Sequence, residues 1–553
     1  MTYTTGATVA AMANRAERRL VQTLRDRGAL SAPTAIPLEP SGMMARSALK
    51  RLLRGRAIRE DSGRYWLDEP AAERFRAHRR KRALVVVGVV ILLVVALAVG
   101  LGRARAQDAR PDQAAFRDLY EELIETNTTL SEGSCTLAAQ RMAARLIAAG
   151  YPEADVRVLW PEERPKDGAL SAILRGSASS TTPLLLLAHI DVVEARREDW
   201  ERDPFTLVEE GGYFYARGAQ DDKAQAAIWT DTMIRLKAEG FRPKRDIKLA
   251  LTCGEETSDT FNGVSWLLEH HPEVLQAGLG LNEGARGRLD TDANRIALEV
   301  QAGEKIYQDY TLEVTNPGGH SSRPAPTNAI DQLANALVRL GDAPFPIEIN
   351  ATTRAHFAAL ADVAATPQQA ADLRALSGDN PPAEAIARIG TDPGWNAMMH
   401  TTCVPTIVNA GHAPNALPQR ARANVNCRIL PGHTPQEVKA ELERVLAEPA
   451  LKVTIDGNID PVSPAPPLSP EVIEPIRQAA AKLWPGVPVV PTMQVGATDA
   501  RFTNAAGVPT YGITGLFTDP DGGGIHGLNE RIRVRSLYEG RDFLFDLVKM
   551  YSQ

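Results

Sequence analysis

The sequence predicts an α/β body interrupted by an inserted α+β lid, preceded by a small basic unit and one apolar span. Three observations carry this. Short apolar runs at residues 184–188, 247–252 and 279–281 alternate with helical stretches such as residues 224–238, the texture of a sheet flanked by helices. From Lys305 the pattern shifts to alternating strands, and it returns to α/β texture only after a Pro-rich segment at residues 461–470. Twenty residues without a charged or polar side chain, 83–102, separate a segment of net charge +10 from a body of net charge −18.

In the basic segment, residues 15–28 place Leu20 and Leu24 on one helical face, and residues 45–53 do the same with Leu49, Leu52 and Leu53. Residues 58–60 and 64–67 flank Asp61-Ser62-Gly63, a turn suited to a hairpin. Residues 1–82 are therefore expected to form a winged-helix-like unit. Residues 83–102 are long enough to cross a hydrocarbon layer about 30 Å thick and predict one transmembrane helix. Arg74, Arg76, Arg79, Arg80, Lys81 and Arg82 crowd its N-terminal side against Arg103 and Arg105 on the other. By the positive-inside rule the N-terminus is expected in the cytoplasm and the acidic body outside it, periplasmic or extracellular. Ala104-Arg105-Ala106 has the form a signal peptidase accepts, so a cleaved, secreted body is the alternative, although the apolar run exceeds the roughly 7 to 15 residues of a signal core. Basic residues beside a bilayer meet anionic headgroups, which makes a membrane the expected partner and not nucleic acid.

The body reads as residues 108–303 and 461–553 forming one α/β domain, with residues 304–460 inserted as the lid. Residues 114–126 and 136–149 are expected helices, the second stopped by Gly150. Within the lid, residues 308–314 read as strand, 328–340 as helix, 354–389 as an Ala-rich helical insertion and 402–429 as a hairpin. Residues 474–483 are expected helical and 510–513 extended.

HExxH, GxSxG and GxxxxGK[ST] are all absent from the sequence. Gly522, Gly524 and Gly527 match GxGxxG, but Asp519-Pro520-Asp521 precedes them where a dinucleotide site requires a strand. The informative pattern is positional. His189 and Asp191 follow the first apolar run, Glu255 and Glu256 the second, Glu283 the third. Ligands of open α/β sheets bind outside the carboxyl ends of the strands, so these groups can converge despite their separation. Asp221 precedes a helix and His526 sits in a Gly-rich loop. Imidazole and carboxylate together suit zinc and its neighbours, and a carboxylate shared by two ions permits a dinuclear centre.

The chain resembles the dizinc metallopeptidases that include aminoacylase, bacterial carboxypeptidases and succinyl-diaminopimelate desuccinylase. The resemblance spans roughly residues 112–551 and rests on His189-Ile190-Asp191, the run from Arg217 to Lys223, Gly254-Glu255-Glu256, Asn282-Glu283-Gly284, the run from Gly318 to Ser322, and Gly524-Ile525-His526-Gly527. It implies a mixed-sheet catalytic domain and a lid that also dimerises. It implies that His189, Asp221 and Glu283 hold one Zn2+, and Asp221, Glu256 and His526 the other, with Co2+ or Mn2+ as alternatives on the same ligands. A cis peptide after Asp221 is part of the same likeness. Asp191 would orient His189, Glu255 would act as general base, and His320 would reach into a partner subunit's site to stabilise the oxyanion. Asn415 and Arg428 match positions that clamp a substrate carboxylate, so peptides or N-acyl amino acids with a free carboxylate are the expected substrates. Thr498-Asp499-Ala500-Arg501 resembles a segment lining the cleft.

Cys253 is expected in the core, while Cys403 and Cys427, equidistant from Asn415, would face each other across a regular hairpin as a disulfide pair. The competing functional expectation is a transmembrane sensor whose hydrolase-like body binds peptide and whose basic unit binds DNA. A complete set of ligands and base favours catalysis.

Overall fold

The computed structural model describes residues 6–77, 110–178, 181–257, 260–457 and 459–553. Two compact units divide the chain, Met1–Arg110 and Pro111–Gln553. In the first, helices Gly6–Asp26 and Met43–Arg54 accompany a three-stranded antiparallel sheet in the order Ile36–Pro37, Arg64–Leu67, Ile58–Asp61. Leu20 and Leu24 of the first helix meet Leu49 and Leu52 of the second over Ile58 and Leu67, the apolar stripes becoming one core. Arg25 is held by Glu69 through a two-pronged ion pair at 2.5 and 2.6 Å.

The apolar segment at residues 83–102 lies outside the described residues. Among the described residues no helix is long and apolar enough to cross a membrane. A span needs about 20 predominantly apolar residues, whereas Gly6–Asp26 and Val534–Tyr551 both carry charges along their length. The single-pass anchor and the outward-facing orientation expected from sequence are corrected on that ground.

The second unit is built on a ten-stranded mixed sheet. From one edge the order runs Val156–Leu159, Ala169–Leu174, Ile247–Thr252, Leu184–His189, Leu279–Asn282, Thr510–Gly512, Arg295–Glu304, Gly287–Leu289 and Phe517–Thr518, with Val489–Gln494 also paired to Arg295–Glu304. The four strands from Ile247–Thr252 to Thr510–Gly512 are mutually parallel. Every residue of Leu184–His189 is buried, as a strand covered on both faces must be. Helix Lys223–Ala238 covers it and is buried on most of its circumference, and its Trp229 indole donates to the Leu187 carbonyl at 3.0 Å.

After Glu304 the chain enters the segment expected to be the lid, which forms a four-stranded antiparallel sheet ordered Thr402–Ala410, Arg420–Ile429, Ile306–Thr315, Leu451–Asp456. Helices Ala329–Asp342 and Pro435–Leu446 close one face over Tyr310, Leu312, Leu333, Val425 and Leu442. Helices Ala351–Ala361, Pro367–Leu376 and Ala383–Ile389 make a separate core that reaches Ala297 and Val490 of the large sheet. Lys305, fully buried where the chain passes into the lid, donates to the carbonyls of Ala397 and His400 at 2.7 and 2.8 Å.

Cys403 and Cys427 stand opposite each other on neighbouring lid strands and are disulfide-bonded. Cys253 is buried as expected, yet it is bonded to Cys135 at the start of helix Cys135–Ala148. Sequence spacing held no sign of that pairing, because the two cysteines are 118 residues apart.

Candidate metal centre and cleft

Parallel strands end where their helices begin, and the turns between them carry the polar side chains. His189 closes Leu184–His189, Glu255 and Glu256 follow Ile247–Thr252, and Glu283 follows Leu279–Asn282. Adjacent parallel strands bring these turns side by side. Asp221 and Asp222, joined by a cis peptide, occupy the turn before helix Lys223–Ala238.

The geometry is tight. His189 Nδ1 donates to the Asp191 carbonyl at 3.1 Å, which leaves Nε2 facing Asp221 Oδ1 at 3.2 Å. His526 Nε2 lies 3.0 Å from the Glu256 carboxylate and 3.5 Å from Asp221 Oδ2. Asp221 thus lies between the two imidazoles, and ligand atoms of His189, Asp221 and Glu256 all fall within 4.8 Å of one another. The Asp191 carboxylate accepts the main-chain N–H groups of Glu255 and Glu256 at 3.3 and 3.0 Å, so this residue holds both the histidine and the acidic turn.

The electrostatics match. Burial pushes the carboxyls of Glu255 and Glu283 well above the usual range, with neighbouring carboxylates adding to the shift. Burial acts upward on Asp221 as well, but hydrogen bonds from His189 and His526 outweigh it and hold it below that range. Hydrogen bonds to Asp221 and Glu256 raise His526 to about 10. Asp222 is buried with one carboxylate oxygen lacking any hydrogen bond. This excess of buried carboxylate, mixed with imidazole nitrogen, is the donor chemistry that divalent cations neutralise, so the residues present fit a metal pair.

A cavity of about 430 Å³ opens beside the acidic turn, lined among others by Glu255, Glu256, Tyr307, Asp309, Arg428 and Arg501. The Arg428 guanidinium lies 4.7 Å over the Tyr307 ring, with no carboxylate at ion-pair distance among the described residues. Glu255 has Arg501 at 3.6 Å, and Arg501 reaches Asp460 at 3.2 Å.

Not every candidate joins the cluster. His320 and Asn415 are exposed and adjacent on the lid, where Gly319–His320 pairs with Ala416–Leu417 and the Ser321 N–H donates to the Asn415 carbonyl at 3.0 Å. His320 Nδ1 is engaged by the Ser322 hydroxyl at 2.8 Å, and neither residue lines the cavity.

Three residues with structural claims on the site were given no role of their own by sequence reasoning, Lys223 and Arg501 standing only inside segments that carry the resemblance. Lys223 is fully buried and donates to the Thr126 carbonyl at 2.7 Å, anchoring the turn that carries Asp221. Arg501 was legible only as part of a segment. Glu530, wholly buried, takes four donors from Arg217, Gly218, Gln220 and Asp221 at 2.8 to 3.0 Å. An acid in a short polar stretch carries no periodic signal, and its partners stand more than 300 residues away.

Residues 185–550 match the model for peptidase family M20/M25/M40. The chain is similar to the N-fatty-acyl-amino acid synthase/hydrolase PM20D1 of Homo sapiens, 29% identical over 464 residues, covering 81% of this chain and 90% of the relative. A probable carboxypeptidase S-like 2 of Dictyostelium discoideum is 28% identical over 385 residues, covering 68% of this chain and 73% of the relative. Among solved structures, the M20 family metallo-carboxypeptidase Sso-CP2 of Sulfolobus solfataricus aligns with a TM-score of 0.59 at 17% identity, covering 80% of this chain and 100% of the other. The dipeptidase Dug1p of Saccharomyces cerevisiae aligns at 0.53 with 16% identity, covering 80% and 96%. At these identities the structural matches establish the fold.

Proposed function

The chain belongs to peptidase family M20/M25/M40, a family of dinuclear metal hydrolases acting on amide bonds, and on that premise we propose that its substrates are N-acyl amino acids or short peptides with a free carboxylate. The observation that carries this is one cavity lined by both Glu255 and the Arg428 guanidinium, which has no carboxylate at ion-pair distance among the described residues. The names of the similar proteins, an N-fatty-acyl-amino acid hydrolase and a carboxypeptidase S-like protein, point the same way.

His189, Asp221 and Glu283 would hold one divalent ion, and Asp221, Glu256 and His526 the other, zinc being the metal these donors suit best. The bound ions would supply Lewis-acid polarisation of the scissile carbonyl. Glu255 takes a proton from the attacking water and returns it to the departing amine nitrogen, a role open to a carboxylate on the cavity wall next to Glu256. Asp191 fixes the His189 ring so that Nε2 faces the ligand cluster. Arg428 receives the substrate carboxylate through its planar fork, whereas Asn415, exposed on the lid beside His320, lies off the cavity that holds Arg428.

We further propose a homodimer through the lid. Strand Thr402–Ala410 is a sheet edge, and it exposes Val404, Ile407 and Val408, while the neighbouring helix Ala329–Asp342 exposes Ile330 and Val338. The exposed His320, away from its own chain's cluster, would then serve the partner's site as an oxyanion donor.

Replacement Glu255→Gln tests the reading. Metal analysis of the purified variant is expected to show both ions retained while kcat on an N-acyl amino acid falls at least about 100-fold. Undiminished turnover would remove Glu255 from the chemistry.

A further inference from the structure

We propose that Glu530 is a positioning residue that holds the two metal-bearing loops in register, an inference that rests on the metal site proposed above. The Glu530 carboxylate divides its oxygens between two jobs. Oε2 accepts from Arg217 Nη1 at 2.8 Å and from the Gly218 N–H at 2.9 Å. Oε1 accepts from the N–H groups of Gln220 and Asp221 at 2.8 and 3.0 Å. All four donors belong to the turn that ends in Asp221, the shared ligand of the proposed pair. Gly218 makes the convergence possible, because its φ of +78° turns the chain in a way a side chain would resist, and a Cβ there would meet Val192 at 2.8 Å.

The same pair of residues also grips the other loop. Glu530 lies four positions beyond His526, and Arg217 Nη2 donates to the Gly527 carbonyl at 2.8 Å. Trp200 lies under the Arg217 guanidinium at 5.0 Å and fixes its plane. Strand Arg531–Arg533 pairs with Tyr213–Tyr215, so each flank of the clamp leads directly into a ligand loop, Tyr215 into residues 217–221 and Arg531 back into His526. One buried carboxylate and one guanidinium therefore fix the spacing between Asp221 and His526, residues 305 positions apart.

A carboxylate is required for this. Four donors converge on it, and an amide in its place offers one acceptor and two further donors, leaving N–H facing N–H inside a dry site. Groups that support metal ligands in this way typically contribute 10- to 100-fold in metal affinity.

The experiment is a Co2+ titration of metal-stripped full-length protein, read by metal analysis and by the d–d absorption bands, with circular dichroism as the control for folding. Folded Glu530→Gln is expected to bind Co2+ about 10- to 100-fold more weakly than the unsubstituted protein, with displaced bands. Affinity and bands identical to the unsubstituted protein would overturn the proposal. Should Glu530→Gln not fold, Arg217→Lys decides: it keeps a cation beside Glu530, but its single nitrogen cannot span Glu530 and the Gly527 carbonyl as Nη1 and Nη2 do, so weakened Co2+ binding supports the clamp and unchanged binding overturns it. If the unsubstituted protein takes up no pair of ions, the metal site itself fails and this inference with it.

Discussion

Replacing Arg428 isolates carboxylate recognition from chemistry, because its guanidinium lines the cavity without touching the ligand cluster. Among the described residues its guanidinium packs on the Tyr307 ring at 4.7 Å, a contact worth about 0.5 to 1 kcal/mol at a partly exposed site, so Arg428→Ala should fold. The hydrogen bonds it would make to a substrate carboxylate are charge-assisted and contribute about 1.5 to 3 kcal/mol. At about 1.4 kcal/mol per decade that is roughly a 10- to 100-fold loss in kcat/KM. The assay compares initial rates on an N-acyl amino acid and on its carboxamide. Arg428→Ala is expected to lose that factor on the free acid, chiefly through KM, and almost nothing on the amide. Arg428→Lys should recover only part, since an ammonium keeps the charge but cannot present two parallel N–H groups. Equal losses on acid and amide would show that Arg428 supports the cavity without reading the carboxylate.

Burial raises the Glu304 carboxyl from 4.5 to about 7, so its contribution to stability is fully present below pH 4.5 and is lost as pH rises through about 7. Denaturation midpoints should accordingly decline less from pH 4.5 to 7 in Glu304→Gln than in the unsubstituted protein, and parallel curves would reject the assignment. A charge placed on the lid edge by Ile407→Glu, at a side chain 56% exposed, should convert a dimer to a monomer by light scattering without loss of fold. An unsubstituted protein that is already monomeric would remove the dimer from the reading.

The placement of His189, Glu255, Glu256 and Glu283 at neighbouring strand ends was legible because two local signals coincide. An all-apolar run such as Leu184–Ala188 marks a strand buried on both faces, and polar residues immediately past its carboxyl end have nowhere to go but the crevice above the sheet. The lid hairpin and its cysteine pair were legible for a similar reason, since antiparallel register follows from distance to a turn. The basic segment's helices and hairpin could be placed from periodicity alone, around Leu20, Leu24, Leu49 and Leu52. An apolar run without charge, by contrast, reports composition, and no described helix of the fold matches the membrane role first read from it.

Only the tertiary structure decided which distant groups share an environment. Cys135 finds Cys253, Lys305 finds the Ala397 and His400 carbonyls, Arg501 comes to Glu255, and Glu530 closes on Arg217 and the Asp221 turn. Burial is what makes these pairings strong and also what hides them. Removing a charge from water leaves it stable only beside partners supplied by other parts of the chain, and those partners follow no period that a sequence displays.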